Sequence, residues 1–235
     1  MDTREKLLLT AERLFGERGL NGVSLREITR EAGQRNASAL HYHFGSREGL
    51  ISAIFEKRMH YLDQRRMEYL DEVEAEGRAG DMRAVAEAAI RPIAEFLWRD
   101  DGSSNYVRFL TEMFVTPEFL VSDFVRNKHD LGLQRSYRMV RALVPDIPDN
   151  LMRQRFLLVL HAGTYALADI DTARQRRARE GKPFDLARAI ENLIDLWVGA
   201  MSAPVTEQTA MQAGWRSRPE RGTGRRETWA TNASG

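Results

Sequence analysis

The chain has 235 residues, a formal net charge of +1 and no cysteine, with 43% hydrophobic and 29% charged residues. This length allows one large domain or two modest ones with a sizeable core. The lack of cysteine excludes a disulfide scaffold and a cysteine-ligated zinc site. Because the net charge is nearly neutral, nucleic-acid binding would require a local basic patch.

The start of the chain, "MDTREKLLLTAERLF", is charged and amphipathic, so it predicts no secretory signal peptide. The longest apolar stretch, Phe156 to Ile170, is interrupted by His161 and is too short and polar for a membrane span. These features predict a soluble cytoplasmic protein that does not associate with a membrane.

Helical periodicity dominates the chain and predicts an all-α fold. Apolar residues recur at helical spacing up to Phe15, and Ser24 with Glu27 predicts a capping box for a second helix that stops near Gly33. Ser46 predicts the N-cap of a long helix that reaches about Glu76. Five further helices are predicted at Asp81–Arg99, Ser103–Val115, Pro117–Val144, Asp149–Arg179 and Asp185–Met201.

The stretch "NASALHYHFGSRE" predicts a short helix that has Asn36 at its N-cap. At 100° per residue, Leu40 and Phe44 share an apolar side, whereas Ser38 and Tyr42 point nearly the opposite way. Such a helix, with small residues at its exposed N-terminal end, suits the second helix of a helix-turn-helix seated in a DNA major groove. Each polar residue alone is more often an ordinary surface residue, so the prediction depends on the combination.

The first sixty residues resemble the DNA-binding domain of the TetR-like transcriptional repressors. The resemblance is carried by "AERLFGERGLNGVSLREITREAG" and "NASALHYHFGSREGLISAI", in which Leu40-His41-Tyr42-His43-Phe44 matches an aromatic run of the family. The sequence departs from the family pattern in the turn "GQRN", which is one residue longer, and in having histidine at two positions where tyrosine is usual. Histidine can still donate to phosphate, but its charge depends on pH.

The resemblance implies two sets of DNA contacts. The residues implied to contact bases are Arg26, Ala37, Ser38, Ala39 and Tyr42. The residues implied to contact phosphates are Ser24, Asn36, His41, His43 and Arg47, and local charge adds Arg35.

The domain organisation predicted is a three-helix helix-turn-helix domain at 1–47, a larger helical ligand-binding and dimerisation domain at 48–201, and an irregular tail at 202–235. The helix Asp149–Arg179 is apolar all round in its middle, and the last helix has a wide apolar face. Two such helices predict a homodimer through a four-helix bundle. A core helix within one chain is the alternative interpretation.

By the resemblance, the middle helices surround the pocket of a hydrophobic or amphipathic inducer, although each aromatic residue is individually more typical of a core. The pocket residues predicted are Phe96, Asn105, Arg108, Phe109, Phe124, Tyr137, His161 and Tyr165. The helix that starts at Ser46 touches both regions and is the expected lever between ligand and DNA.

The sequence therefore predicts a ligand-responsive homodimeric repressor that binds a double-stranded DNA operator. The alternative is a DNA-binding protein without an inducer that acts in chromosome organisation. An enzyme is not predicted, because His161 and Asp169 lie about two helical turns apart and no phosphate loop, nucleophile elbow or metal-spaced histidine pair is present. No cofactor or metal is predicted.

Overall fold

The computed structural model describes residues 1–34, 36, 38–99, 101–116 and 130–213. These residues form α-helices and one 3₁₀ turn, with no strand among them, which confirms the all-α prediction. The helices are α1 (Thr3–Arg18), α2 (Leu25–Glu31), α3 (Ser38–Phe44), α4 (Arg47–Ala75), α5 (Met82–Trp98), α6 (Asn105–Val115), α7 (Leu131–Leu143), α8 (Asp149–Arg179), α9 (Leu186–Ser202) and α10 (Glu207–Gln212).

The helix starts follow the capping residues in the sequence. The Asp2 carboxylate accepts the Glu5 N–H at 2.7 Å, and the Ser46 hydroxyl accepts the Gly49 N–H at 3.1 Å. The Ser24 hydroxyl accepts the Glu27 N–H at 3.2 Å, but the Glu27 carboxylate binds Arg18. Thus the described contacts include one half of the capping box predicted at α2.

The chain divides into one unit at Met1–Ala203 and a second at Pro204–Gly235. In the second unit, the Thr206 hydroxyl accepts the Thr209 N–H at 3.3 Å and caps α10. The prediction of an irregular segment from residue 202 is therefore wrong for Glu207–Gln212, where a capping threonine and an acidic first turn favour a helix. The rest of the predicted tail, residues 214–235, and the start of the helix predicted at Pro117–Val144 lie outside the described residues.

The first three helices enclose a small core of their own. Leu8 and Leu14 of α1, Ile28 of α2 and Leu40 of α3 are fully buried. Phe44 closes one end of α3, where the guanidinium of Arg4 lies 5.2 Å from its ring centre. This core holds α3 with its apolar side inward, as the sequence predicts.

Helix α1 also packs closely on α6. A Cβ atom placed on Gly16 would lie 2.8 Å from the carbonyl oxygen of Asn105 and 3.2 Å from the backbone nitrogen of Phe109. The rings of Phe15 and Phe109 meet beside this point at 6.3 Å. The two backbones approach so closely because the side chain between them is a hydrogen atom.

A buried ion pair joins α1 to α4. Arg58 donates from Nε and Nη2 to the two carboxylate oxygens of Glu12, both at 2.8 Å. The Glu12 side chain is 1% exposed, and the Arg58 guanidinium lies 5.3 Å from the ring centre of Phe96 on α5. A bidentate pair of this kind fixes both the spacing and the rotation of the two helices.

In the rest of the first unit, α4 contacts α5 and α7, while α8 packs against α6 and α9. Helix α8 carries exposed apolar side chains at Leu157, Leu158 and Tyr165, and α9 carries one at Leu196. These side chains account for the wide apolar faces seen in the sequence.

We expect Gly16→Ala to lower the free energy of unfolding by about 1–3 kcal/mol, since the added methyl group must push α6 away from α1. Urea unfolding of the full chain measures this change. Gly22→Ala is the matched control, because a Cβ there would make an ordinary 3.6 Å contact with Arg18. Equal stability of the two variants would contradict the close packing of α1 on α6.

Candidate nucleic-acid interface

The turn between α2 and α3 sets the direction of α3. Gly33 has φ of +71°, and its N–H donates to the Arg30 carbonyl at 3.0 Å. The Gln34 N–H then donates to the Thr29 carbonyl at 3.0 Å, which ends α2 in the manner of a C-terminal glycine cap. After the turn, the Asn36 carboxamide oxygen accepts the Ser38 N–H at 2.9 Å, in the capping role that the sequence predicts.

Helix α3 presents a polar outer face. Tyr42 is 85% exposed and Ser38 is also exposed, whereas Leu40 is fully buried on the opposite side. Ala39 is partly exposed beside them. This face is slim because a serine and an alanine occupy its first turn, so the helix can approach another surface closely there.

Two histidines flank this face. His41 is exposed, and its Nδ1 lies 2.9 Å from the Gly45 carbonyl oxygen, which leaves Nε2 to face outward. His43 is half-buried and meets the Tyr42 ring edge-on at 5.1 Å. Both rings are thus held by contacts within α3 and the turn that follows it.

The start of α2 lies at the edge of the same three-helix core. Ser24 is exposed and caps α2, and Arg26 is exposed in its first turn. Arg30, one turn further on, lies 3.7 Å from the carboxylate of Glu31. Two predicted contact residues, Arg35 and Ala37, lie outside the described residues.

The Arg47 side chain is held by two contacts within the same part of the chain. Its Nη1 donates to the Val23 carbonyl at 2.7 Å, and its guanidinium lies 5.0 Å from the ring centre of Phe15. Nη2 is buried, and burial lowers the pKa of the side chain. Arg47 thus holds the start of α4 against the segment before α2. A phosphate contact by Arg47 stays a prediction.

The start of α4 is shaped by a glycine that the sequence analysis missed. A Cβ on Gly49 would lie 2.0 Å from the Phe44 carbonyl oxygen, so the corner between α3 and α4 admits no side chain there. The preceding residue, Glu48, has a carboxyl pKa below its usual value. The carboxylate accepts hydrogen bonds from the backbone N–H of Glu48 and from the Ser46 hydroxyl, and both lower the pKa.

The structure separates the predicted ligand residues into three groups. Phe96 and Phe109 are fully buried on either side of Tyr106, at ring distances of 5.7 and 5.8 Å. Close to them, Arg108 donates to Asn105 at 3.2 Å and pairs with the buried Asp171 at 3.2 Å.

The second group is Tyr137, which meets Phe156 edge-on at 5.5 Å and donates to Asp149. In the third group, His161 stacks on Phe114 at 4.1 Å, and burial lowers the pKa of its imidazole. Tyr165 donates to the Thr111 carbonyl at 3.2 Å. Phe124 lies outside the described residues. That the predicted set lines one pocket stays a prediction.

Across the described ranges, no three or more histidine, aspartate or glutamate side chains lie where they could hold a metal ion. None of the helices described has the length and apolar character of a bilayer-spanning segment.

Comparison with known families identifies the fold. Residues 7–54 match the family described as bacterial regulatory proteins, tetR family, and residues 87–200 match the tetracyclin repressor-like C-terminal domain. The chain belongs to the TetR family of transcriptional regulators. This family is not one of enzymes, so the prediction that the chain is not an enzyme is confirmed. No curated protein matches the chain significantly.

Solved structures agree with this assignment at the level of the fold. A TetR-family transcription regulator from Shewanella sp. PV-4 is 16% identical with a TM-score of 0.61, over 87% of this chain and 100% of that one. AmtR from Mycobacterium smegmatis is 17% identical with a TM-score of 0.54, over 93% of this chain and 97% of that one.

Arg47→Ala separates the two roles of this side chain. We expect it to lower the free energy of unfolding by about 1–3 kcal/mol, because the Val23 carbonyl loses its charged donor. The predicted phosphate contact would in addition reduce the slope of log affinity for DNA against log salt by about one unit, and a slope that stays as in the wild type would contradict that contact.

Proposed function

We propose that this DNA-binding transcriptional regulator is a homodimeric repressor, released from its operator by a hydrophobic or amphipathic small molecule. The observation that supports it most is the outward face of α3, where Ser38 and Tyr42 stand opposite the fully buried Leu40. A regulator of this kind acts on the chromosome, which is consistent with a cytoplasmic location.

The proposed contacts with DNA follow from the positions of the exposed groups. A major groove about 12 Å wide accepts a helix with small residues in its first turn. Ser38 and Tyr42 would then face base edges together with Arg26, whose guanidinium can donate to guanine. His41, His43 and the residues at the two helix starts, Ser24 and Asn36, would face phosphates on the groove walls.

The proposed dimer would be formed by α8 and α9. Leu157, Leu158 and Leu196 are 53%, 62% and 65% exposed in one protomer. Exposed apolar residues are ordinary when they are scattered, but these lie on two long helices that pack side by side. Pairing them with a second copy would give a four-helix bundle and place two recognition helices about one DNA turn, ~34 Å, apart.

The proposed response to a ligand depends on α4. This helix begins at the corner after α3 and is 29 residues long, so it reaches from the DNA-binding helices to α5 and α7. A ligand that prefers one position of α4 would change the separation of the two recognition helices. The alternative function, chromosome organisation without an inducer, requires the same DNA contacts but no such response.

Tyr42→Ala tests the proposed contact face. We expect operator affinity to fall by about 1–3 kcal/mol, roughly fivefold to 150-fold, while unfolding stability changes by less than about 0.5 kcal/mol. A gel shift with the DNA that flanks the coding region measures the affinity. Arg30→Ala is the control. Arg30 is also exposed, like Tyr42, but its guanidinium pairs with the carboxylate of Glu31 and is not a proposed DNA contact. Undiminished binding by the Tyr42 variant would refute this orientation of α3.

Leu158→Glu tests the dimer. A carboxylate on that face would be buried in the interface, so we expect dimers to dissociate and operator affinity to drop more than tenfold. Sedimentation measures the mass of the complex, and circular dichroism reports the retained fold. Leu131→Glu on α7 is the matched control, since Leu131 is also 62% exposed. If both variants remain dimeric, α8 is not the interface.

A further inference from the structure

Arg66 is a charged side chain enclosed by the core of the regulatory part of the chain. It lies on α4 and is 3% exposed. Gly132 of α7 sits directly on it, because a Cβ there would lie 3.0 Å from Cβ of Arg66 and 3.2 Å from its Cδ. The close approach of α7 therefore confines the guanidinium to the interior.

The guanidinium lacks the partners that a buried charge normally has. Among the described residues, its Nε and Nη1 have no hydrogen-bond acceptor, and Nη2 makes only a 3.5 Å contact with the Ala89 carbonyl. The nearby Asp63 accepts the Gly132 N–H with Oδ1 at 2.8 Å, and its charge favours the charged form of Arg66 although it makes no hydrogen bond to Nε or Nη1. Burial lowers the pKa of Arg66 to about 10, so the side chain is still a cation at neutral pH.

A second unpartnered donor lies within electrostatic range. The hydroxyl of Tyr106 on α6 is fully buried and has no hydrogen-bond partner in the part of the chain described. Arg66 and Tyr106 each influence the pKa of the other. Both pack on α5, Arg66 at Ala89 and Tyr106 at Phe96. Buried polar groups are rarely left unsatisfied, so two such donors in one region call for an acceptor.

We propose that Arg66 and Tyr106 form the anchor of a binding site for the carboxylate group of a small-molecule effector. A carboxylate accepts charge-assisted hydrogen bonds from a guanidinium and has remaining lone pairs for a tyrosine hydroxyl. A neutral ligand would make weaker hydrogen bonds with the guanidinium, and a cation would be repelled. This inference rests on the proposed function and narrows its effector from an amphipathic molecule to one with an anionic end.

The same face of α4 connects this anchor to the DNA-binding helices. Arg58 and Arg66 are eight residues apart, about 12 Å along one side of the helix at 1.5 Å per residue. Arg58 holds Glu12 of α1, and Tyr106 is in electrostatic range of Glu12, Arg58 and Arg66 alike. An anion placed between Arg66 and Tyr106 would therefore act on the helix face that positions α1.

The test uses the simplest carboxylates, because formate, acetate and benzoate fit wherever a larger acid places its head group. Thermal unfolding of the full chain is followed in each sodium salt and in sodium chloride at equal ionic strength. Formamide, acetamide and benzamide serve as uncharged controls. We expect at least one carboxylate to raise the unfolding temperature with increasing concentration, and the amides to have no effect.

Two variants assign the effect to the site. Arg66→Met keeps the unbranched apolar stem of the side chain and removes the guanidinium, and we expect it to abolish the stabilisation by carboxylates. Tyr106→Phe removes only the unpartnered hydroxyl, so it should fold normally and bind carboxylates roughly threefold to tenfold more weakly. The inference is overturned if no carboxylate stabilises the protein beyond chloride, or if both variants respond as the wild type does. A structural water between the two donors would give the first of these results.

Operator binding is measured separately by gel shift without carboxylate. A protein that binds its operator but ignores all three acids would overturn the effector site alone. A protein that is stabilised by an acid through Arg66 but never binds DNA would overturn the proposed function instead.

Discussion

The buried pair of Glu12 and Arg58 is the contact on which the arrangement of this molecule depends. Two charges removed from water cost several kcal/mol each, and a bidentate geometry is needed to offset that cost. Here both hydrogen bonds are 2.8 Å long. An apolar pair of similar size would hold α1 on α4 without fixing its rotation. The ion pair fixes it, because only one rotation of α1 presents the carboxylate to the guanidinium. The position of α1 in turn sets that of α2 and α3, which share its core.

Much of the helix-turn-helix was predictable from the sequence because its determinants are local. The caps at Ser24 and Ser46, the positive φ at Gly33 and the burial of Leu40 each follow from residues a few positions apart. The contacts of the Arg47 side chain could not be predicted in this way. Its side chain is long enough to point either way, and the Val23 carbonyl that receives it lies 24 residues earlier in the chain. Spacing along one helix carries no information about such a contact.

The ligand site was harder to predict for the same reason. Rings with polar tips were chosen by residue type, and residue type does not say which of them face one another across α5, α6 and α8. Arg66 was not selected, since an arginine on a charged helix is normally a surface residue. The approach of α7 at Gly132 and the contact with α5 at Ala89 enclose it. An unpartnered buried donor is visible in three dimensions and has no signature in composition or period.

The placement of these groups also limits how an effector can act. A ligand shifts a conformational equilibrium only by the difference in its affinity for the two states. The packing of Gly16 on α6 leaves little room for α1 to slide, because the backbones are already in contact. Motion of α1 is therefore coupled to motion of α6 and α4 together. Tyr106 on α6 and Arg66 on α4 would be bridged by one anion, so the ligand would bind most tightly to a single spacing of these two helices. The Glu12–Arg58 pair would then transmit a change in that spacing to α1, and thus to the DNA-binding helices that share its core.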